Sequence, residues 1–448
     1  MSRITANDCL DREPSDYSAA MTSRRFYGWT LLAIFWLILL IASAMTLYAG
    51  GVLNGYMAAD LGVDRAARGA PMSMYQLLFG LGAPVVALFI DRWGIRACLA
   101  GGGVLIVAGA LAMALVVQNV THATLAFGCV VGAGAAAAGG ITTQAGITRW
   151  FRRRRALAMA ILFSAPGIGG FFVAPSLNRL VIASGGNWRL GWFVVAAAAV
   201  LVVALALLFV KENPADVGQV PDGNDVAPDT KHPSRATGVF ITTQDWLRKD
   251  VFRSRTFWLM LVAVLGVNAG FVLFFAIGVT HLQDFGHSAT AGAWALSVFG
   301  ISALAGKAAL ALFGDRFDPR YVWAVTIAGF GLGMVLIADA RGARELALFP
   351  IFLGFGYGGG MACMMAVLGN YYGLKAFASV AGLAVAVTTT AGAVAPMIAG
   401  ALYHDLGSYT RVFQALAAWC FAGSVLMAVV RRPVRPEHAS ATAVALTT

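Results

Sequence analysis

Charged residues are scarce in this chain of 448 residues. Asp, Glu, Lys and Arg make up 12% of it, about half the share in an average soluble domain. In contrast, 59% of the residues are hydrophobic and the mean hydropathy is +0.76. So few charges cannot cover the surface of a soluble protein of this length. The composition excludes a disordered chain or a coiled coil and predicts a polytopic membrane protein.

Cysteine is also sparse, and its spacing is irregular. The five cysteines are scattered along the chain, with no Cys-X-X-Cys pair and no Cys/His pattern of the kind that binds metal. This distribution excludes a disulfide framework, and we expect no metal site and no cofactor.

Catalytic and nucleotide-binding motifs are missing as well. No Ser/His or His/Asp/Glu cluster lies near one membrane face, so we predict that the chain is not an enzyme. The stretch Gly354-Phe355-Gly356-Tyr357-Gly358-Gly359 matches G-X-G-X-X-G, but no strand precedes it, and we interpret it as close helix packing. The missing nucleotide motif excludes an ATP-driven pump, and a receptor would need a folded soluble domain that the polar loops are too short to supply.

Twelve apolar runs dominate the sequence, and each approaches or exceeds the roughly 20 residues that a helix needs to cross a bilayer. No such run precedes residue 27, so we expect no cleaved signal peptide. The runs lie at 27–57, 68–90, 96–117, 123–149, 156–183, 188–210, 255–285, 289–313, 321–340, 346–369, 376–403 and 409–430.

Lysine and arginine are distributed unevenly between the loops. Most of the 32 fall in segments that share one side of the membrane with both termini. The positive-inside rule therefore predicts cytoplasmic termini and a multi-pass protein of the plasma (inner) membrane. The net charge of +11 comes mainly from these cytoplasmic loops. Since membrane orientation explains the excess of cations, we expect no nucleic-acid partner.

A polar segment divides the runs into two sets of six that repeat each other. Residues 211–254 are rich in Pro, Asp and Gly and predict a flexible linker. Three matches recur at offsets of 221 to 224 residues: Asp91-Arg92 with Arg96 and Asp315-Arg316 with Arg320, Val173-Ala174-Pro175 and Val394-Ala395-Pro396, and Arg189 and Arg411. We predict a tail at 1–26, a first half at 27–210, the linker at 211–254, a second half at 255–430 and a tail at 431–448.

The loop after the second run, D-R-X-G-X-R, and the duplicated plan resemble the major facilitator superfamily. The resemblance extends from Arg24 to Arg432. It implies an all-α membrane protein with twelve transmembrane helices in two pseudo-symmetric halves that rock about a central site. It also implies a conformational-switch role for the charged loop residues, although the same cations would serve as membrane-surface anchors; these residues are Asp91, Arg92, Arg96, Asp315, Arg316 and Arg320.

Further motifs are similar to the monocarboxylate transporter and oxalate–formate antiporter branches of that superfamily. The resemblance implies a small organic anion as substrate. The motifs are Phe26-Tyr27-Gly28-Trp29, Arg149-Trp150-Phe151 with the arginines after it, Ala156 to Met159, Phe163 to Gly170, and Gly300 with its spacing to Lys307 and Asp315.

Lys307 is the only cation well inside an apolar run, and no Asp or Glu lies as deep. It is six residues, or about 9 Å, from the run's end at Phe313. A charge at such a depth costs roughly 2.5–3.5 kcal/mol on insertion scales. Two interpretations stay open: Lys307 binds a substrate carboxylate, or its long side chain reaches the cytoplasmic headgroups.

The resemblance aligns Lys307 with an arginine that binds the substrate carboxylate in those branches. The chain departs from both branches elsewhere. It has Ala303 where monocarboxylate carriers have an aspartate, and the neutral stretch Tyr48 to Val52 where they have a lysine. Residues 376–403 contain no cation, whereas the oxalate antiporters have a second one in this run. A single cation suits a single negative charge and disfavours a dicarboxylate. The departures also bring the usual proton route of the carboxylate symporters into question.

Several polar residues inside the runs are further candidates for substrate contacts, or else hydrogen-bond a neighbouring helix. They are Tyr48, Asn54, Gln144, Asn268, His281 and Tyr371.

Together these observations predict a secondary active transporter of a small organic anion, with a monocarboxylate favoured. A coupled proton and an exchanged anion are both open as its second partner. The alternative is an exporter of a drug or neutral solute, which the scarcity of buried charge supports. Membrane lipid surrounds such a fold, and a second subunit is not required.

Overall fold

The structure is a computed structural model that describes residues 26–64, 67–151, 154–223, 242, 246–313, 317–373 and 377–433. Its long helices follow the apolar runs, and we number them α1–α12. The bounds are Tyr27–Asp60 (α1), 70–93 (α2), 95–115 (α3), Val120–Trp150 (α4), Leu157–Ala183 (α5), Trp188–Phe209 (α6), Arg255–Asp284 (α7), Ala289–Phe313 (α8), Pro319–Ala338 (α9), Ala343–Tyr372 (α10), Phe377–Leu406 (α11) and Thr410–Val429 (α12).

Helices α2 and α3 form one continuous segment of 46 residues, so the described part of the chain contains eleven segments long and apolar enough to cross a membrane. Gly94 interrupts this segment with φ 84° and ψ 172°, a conformation that side chains other than glycine rarely adopt. Tyr75 before it and Ile106 after it both contact positions 132–134 of α4. The chain therefore doubles back at Gly94, and the segment supplies two crossings.

The predicted all-helical fold is confirmed, and each of the twelve runs corresponds to a helix. Consecutive helices run in opposite directions, so one end of the bundle carries the polar segment between α6 and α7. We call it the linker end and the opposite one the far end. We call α1–α6 the first half and α7–α12 the second half; the exact boundaries of halves, linker and tails stay a prediction.

Matching hydrogen bonds at the linker end reflect the internal repeat. In the first half, the Arg96 guanidinium donates to the Leu207 carbonyl at the end of α6. In the second half, the Arg320 guanidinium donates to the Val430 carbonyl at the end of α12. The two arginines are 224 positions apart and the two carbonyls 223. The predicted switch residues Asp315 and Arg316 lie outside the described residues.

Glycines allow α10 to lie directly on two neighbouring helices. A Cβ built at Gly358 would overlap the Ala303 carbonyl oxygen of α8, and one at Gly356 would lie 2.6 Å from the Phe330 amide nitrogen of α9. These contacts agree with the helix-packing interpretation of the G-X-G-X-X-G stretch.

Candidate substrate site

Two helix crossings join the halves near the middle of the bundle. A Cβ built at Gly167 of α5 would lie 2.9 Å from the Gly300 carbonyl oxygen and 2.9 Å from Leu304 Cβ, both on α8. A Cβ built at Gly80 of α2 would lie 2.5 Å from Thr389 Cγ2 of α11. Because 167 and 389 differ by 222, the repeat relates the two crossings to each other.

Lys307 lies on the face of α8 that crosses α5. It follows Gly300 and Leu304 by seven and three positions, so it continues their stripe toward the linker end. Its side chain is half-buried, and Nζ lies 5.9 Å from the centre of the Phe163 ring of α5, within cation–π range. Among the residues that the structure describes, no acceptor or carboxylate pairs with Nζ. The interface between the halves therefore holds a cation available to an anion.

A break in α4 lies beside this lysine. The helix is interrupted at Gly139, where ψ is −146°, one turn before the half-buried Gln144. A Cβ built at Gly140 would lie 4.0 Å from the Phe163 ring, the same ring that Lys307 contacts. Gln144 Nε2 lies 3.4 Å from the same Cβ position, so Gln144 and Lys307 both lie near Phe163.

Ser43 of α1 lies beside the break at Gly139. Its Oγ lies 2.9 Å from the position that a Cβ at Gly139 would take, and this buried atom has no hydrogen-bond partner in the described part of the chain. Ser43 belongs to the π-helical segment Leu40–Met45. Such segments are frequent at functional sites.

An aromatic layer lies about two helical turns from Lys307 toward the far end. Tyr48 of α1 contacts Gly170 and Gly300, and its ring centre is 5.2 Å from that of Phe275 of α7. The half-buried Tyr357 of α10 stacks on Phe271 of α7 at 4.2 Å. We define the aromatic layer as Tyr48, Phe271, Phe275, Phe299 and Tyr357. Tyr48 and the three phenylalanines are buried and Tyr357 is half-buried, so the layer is a packed aromatic core that joins α1, α7, α8 and α10.

Other predicted contacts lie elsewhere in the bundle. His281 is buried, with its Nε2 3.1 Å from the Ile337 carbonyl oxygen of α9, inside the second half. Asn268 is buried at the contact of α7 with Gly392 of α11, and its Nδ2 has no partner among the described residues. Tyr371 lies at the linker end, near Asp318 and Arg320. A substrate role for each of these three residues stays a prediction.

At the far end, hydrogen bonds join the two halves. Asn54 Nδ2 donates to the Ala276 carbonyl of α7 at 3.2 Å and to the Arg68 carbonyl at 3.0 Å. Asn178 of α5 donates to Thr290 Oγ1 of α8 at 3.2 Å and accepts from a hydroxyl of α1. The cavity beside them measures about 10 Å³, roughly the room of one water.

At the linker end, ion pairs lie within each half. Glu212, just after α6, pairs with Arg149 of α4 at 2.9 Å and accepts from the backbone amides of Ile95 at 3.1 Å and Arg96 at 2.8 Å. In the second half, Arg432 lies 3.4 Å from Asp318. Asp91 and Arg92 are exposed in the same region. Hydrogen bonds thus attach the loop between α2 and α3 to its own half.

Two of the branch-specific motifs meet in the first half. The Phe26 ring centre lies 6.1 Å from that of Trp150 and 5.5 Å from that of Phe151, and Trp29 contacts Phe151 edge-on. Motifs more than 120 positions apart therefore form one aromatic cluster at the linker end.

Twelve apolar helices in two repeated halves, with a cation at their interface, are the architecture of a multi-pass membrane transporter. The family model of the Major Facilitator Superfamily matches residues 34–286 and 269–446. The chain belongs to this superfamily of transporters and is not an enzyme.

Relatives are found among carriers of organic anions. Monocarboxylate transporter 13 from Bos taurus is 27% identical over 77% of this chain and 75% of its own length. The oxalate:formate antiporter of Oxalobacter formigenes is 23% identical over 83% of this chain and 86% of its own. Human monocarboxylate transporter 11 is 25% identical over 77% of this chain and 70% of its own.

Solved transporter structures share the fold. A POT family transporter in complex with a thioalcohol-conjugated peptide superposes with a TM-score of 0.70 at 15% identity, covering 89% of this chain and 95% of its own. A D-xylose–proton symporter superposes with a TM-score of 0.67 at 14% identity, covering 90% of this chain and 98% of its own.

Proposed function

We propose that this protein is a secondary active transporter of a monocarboxylate in the plasma membrane, and that Lys307 binds the carboxylate. The observation that carries the proposal is the position of Lys307, which lies at the interface of the halves beside Phe163 without a counter-ion in the described part of the chain. An ionisable group inside a membrane bundle is expensive and needs a partner. A substrate carboxylate would be that partner.

The neighbouring groups suit the rest of such a molecule. Gln144 lies near Phe163, the ring that Lys307 contacts, and could donate a hydrogen bond, while the half-buried Tyr357 lies among phenylalanines deeper in the bundle. One cation favours one negative charge. The names of the monocarboxylate transporter relatives support the same substrate class.

The contacts between the halves suggest which step of the transport cycle the structure represents. Asn54 and Asn178 join the halves at the far end, whereas Glu212 and Asp318 bind partners of their own half at the linker end. We therefore propose a state that opens toward the linker end. With the predicted orientation, that end faces the cytoplasm.

An exporter of a drug or neutral solute is the second candidate. The Fujikurins efflux protein of Gibberella fujikuroi is 30% identical to the chain, although over only 37% of it and 35% of its own length. The scarcity of charge inside the apolar runs also suits a neutral solute.

Uptake into proteoliposomes tests the proposal directly. The probes would be radiolabelled lactate and benzoate, with one negative charge, oxalate, with two, and glucose as a neutral solute. We expect saturable accumulation of a singly charged acid, and weaker uptake of oxalate. If glucose moves and no carboxylate does, the exporter is the better assignment.

Replacing Asn178 with alanine should loosen the far end. The substitution removes the hydrogen bond to Thr290 that joins α5 to α8, and one such bond contributes about 1 kcal/mol, or about a fivefold shift in the open population. A cysteine at Ala293, beside the far-end cavity, reports this opening through its alkylation by a membrane-impermeant maleimide. The assay uses a background without the native cysteines.

The matched control is Asn187→Ala, because Asn187 accepts from the Arg189 amide at the start of α6, within the first half. We expect faster alkylation in Asn178→Ala than in Asn187→Ala. Equal rates in the two variants would show that the Asn178 contact does not hold the far end closed.

A further inference from the structure

The end of the polar segment, just before α7, packs on the linker end of α10. Trp246 is 3% exposed, and its ring lies edge-on to that of Tyr372, with 5.2 Å between the ring centres. Ser254 Oγ lies 3.3 Å from the Tyr372 hydroxyl oxygen. Tyr372 is itself buried, so the last side chain of α10 lies inside a contact that this segment forms.

Backbone hydrogen bonds support the same contact. The last four carbonyl groups of a helix have no partner within that helix. At the end of α10, the Asn370 carbonyl accepts from the Thr242 amide at 2.8 Å, and the Tyr372 carbonyl accepts from the Trp246 amide at 3.1 Å. Residues before α7 therefore cap a helix that ends more than 120 positions later. We call Thr242, Trp246 and Ser254 the clasp.

The first half has an equivalent aromatic contact. Phe26, which precedes α1, packs on Trp150, the last residue of α4, with 6.1 Å between the ring centres. Trp150 and Tyr372 are 222 positions apart, and Phe26 and Trp246 are 220 apart. In each half, an aromatic residue before the first helix thus packs on the last residue of the fourth helix. Recurrence at the offset of the internal repeat indicates a role that both halves share.

Helix α10 leads from the clasp to the candidate site. Phe271 of α7 stacks on Tyr357 of α10 in the aromatic layer, and the clasp joins the same two helices again at the linker end. The 15 residues from Tyr357 to Tyr372 span about 22 Å. Through Gly358, α10 also packs on α8, the helix that carries Lys307. A displacement of the linker end of α10 relative to α7 would therefore be felt next to the site.

We propose that the clasp makes α7 and α10 move as one body when the linker end opens and closes, and that Trp246 is the positioning residue. Without it, the linker end of α10 would bend independently of α7. The inference rests on the proposed transport by rocking of the halves, but not on the identity of the solute or on Lys307.

Thiol alkylation of the purified full chain tests the clasp, in a background without the native cysteines. One reporter is a cysteine at Met365, which is half-buried and lies about 10 Å from Tyr372 along α10. The other is a cysteine at Ala293, beside the far-end cavity. If the second half moves as one body, a change of state shifts the two alkylation rates in opposite directions.

The test variants are Trp246→Ala and the milder Ser254→Ala, with Trp246→Phe as the conservative replacement that keeps a ring on Tyr372. The matched control is Trp323→Ala in α9. Trp323 is as deeply buried as Trp246 and lies in the second half near the linker end, so its loss removes the same volume outside the clasp.

We expect Trp246→Ala to raise the alkylation rate at position 365 about fivefold or more, because it removes an aromatic pair, and to leave position 293 unchanged. Ser254→Ala should change position 365 in the same direction but less, and it carries the test if Trp246→Ala does not fold. Trp246→Phe and Trp323→Ala should match the wild type at both positions.

Three outcomes would overturn the proposal. They are a wild-type rate at position 365 in the clasp variants, opposite shifts at positions 365 and 293, and an equal rise at position 365 in Trp323→Ala. The experiment uses no solute, so its outcome is separate from that of the uptake assay.

Discussion

Replacing Lys307 with glutamine should abolish carboxylate uptake in proteoliposomes while the protein stays folded. The variant keeps a polar side chain, one atom shorter, but removes the charge next to Phe163. Removing one partner of a desolvated charge pair costs at least about 2 kcal/mol, which corresponds to a loss of about 30-fold or more in uptake. Initial rates at subsaturating substrate measure this loss.

A surface lysine provides the control for this substitution. Lys249 lies in the short helix Arg248–Arg253 and is exposed, so Lys249→Gln should transport as the wild type does. Lys307→Arg keeps the positive charge but delocalises it over a planar guanidinium group, so this variant should retain part of the uptake. Wild-type rates in Lys307→Gln would mean that the lysine reaches the headgroups and that the site lies elsewhere.

The sequence makes Lys307 visible because a charge inside an apolar run is rare. Its neighbours carry weaker signals. Phe163 begins one of the family-like motifs, but that motif does not place its ring beside Lys307, which follows only from the crossing of α5 with α8. Ser43 carries no signal in the sequence, and only the break at Gly139 identifies it. The helices of this site follow from hydropathy, but the faces that they turn toward each other do not.

Polar residues inside spans illustrate a second limit of the sequence. Asn54 and His281 are candidates from the sequence because each is a polar group in an apolar run, and in the structure both have a carbonyl partner. Hydropathy does not distinguish a side chain that binds substrate from one that joins two helices. Glu212 is the opposite case. It lies in a polar segment where a charge is unremarkable, yet it accepts hydrogen bonds from Arg96 and Ile95, which lie 116 and 117 positions earlier.

Repeated segments carry information that single residues lack. The loop after α2 and its copy after α8 predict a twofold plan, and Arg96 and Arg320 indeed make equivalent hydrogen bonds. The repeat does not predict where the halves touch. That depends on small residues such as Gly80 and Gly167, whose role appears only once the helices cross.

Among substitutions that add one methyl group to a glycine of the second half, Gly358→Ala should lower the stability most. The added Cβ would overlap the Ala303 carbonyl oxygen, and backbone cannot rotate away as a side chain does. Overpacking typically costs 1–3 kcal/mol, and with a backbone obstacle we expect about 3 kcal/mol or more. Size-exclusion chromatography after heating in detergent would show a lower melting temperature or loss of the monodisperse protein.

Gly329→Ala is the matched control, because the same methyl group meets no atom within 4 Å there. Helix propensity favours alanine over glycine at both positions, so a loss confined to Gly358→Ala isolates the steric term. The contact of α10 with Ala303 and Gly306 also sets the rotation of α8, and hence the face that carries Lys307 toward Phe163. A Gly358→Ala protein that folds should therefore transport poorly, and wild-type stability with wild-type uptake would show that α8 and α10 do not pack this closely.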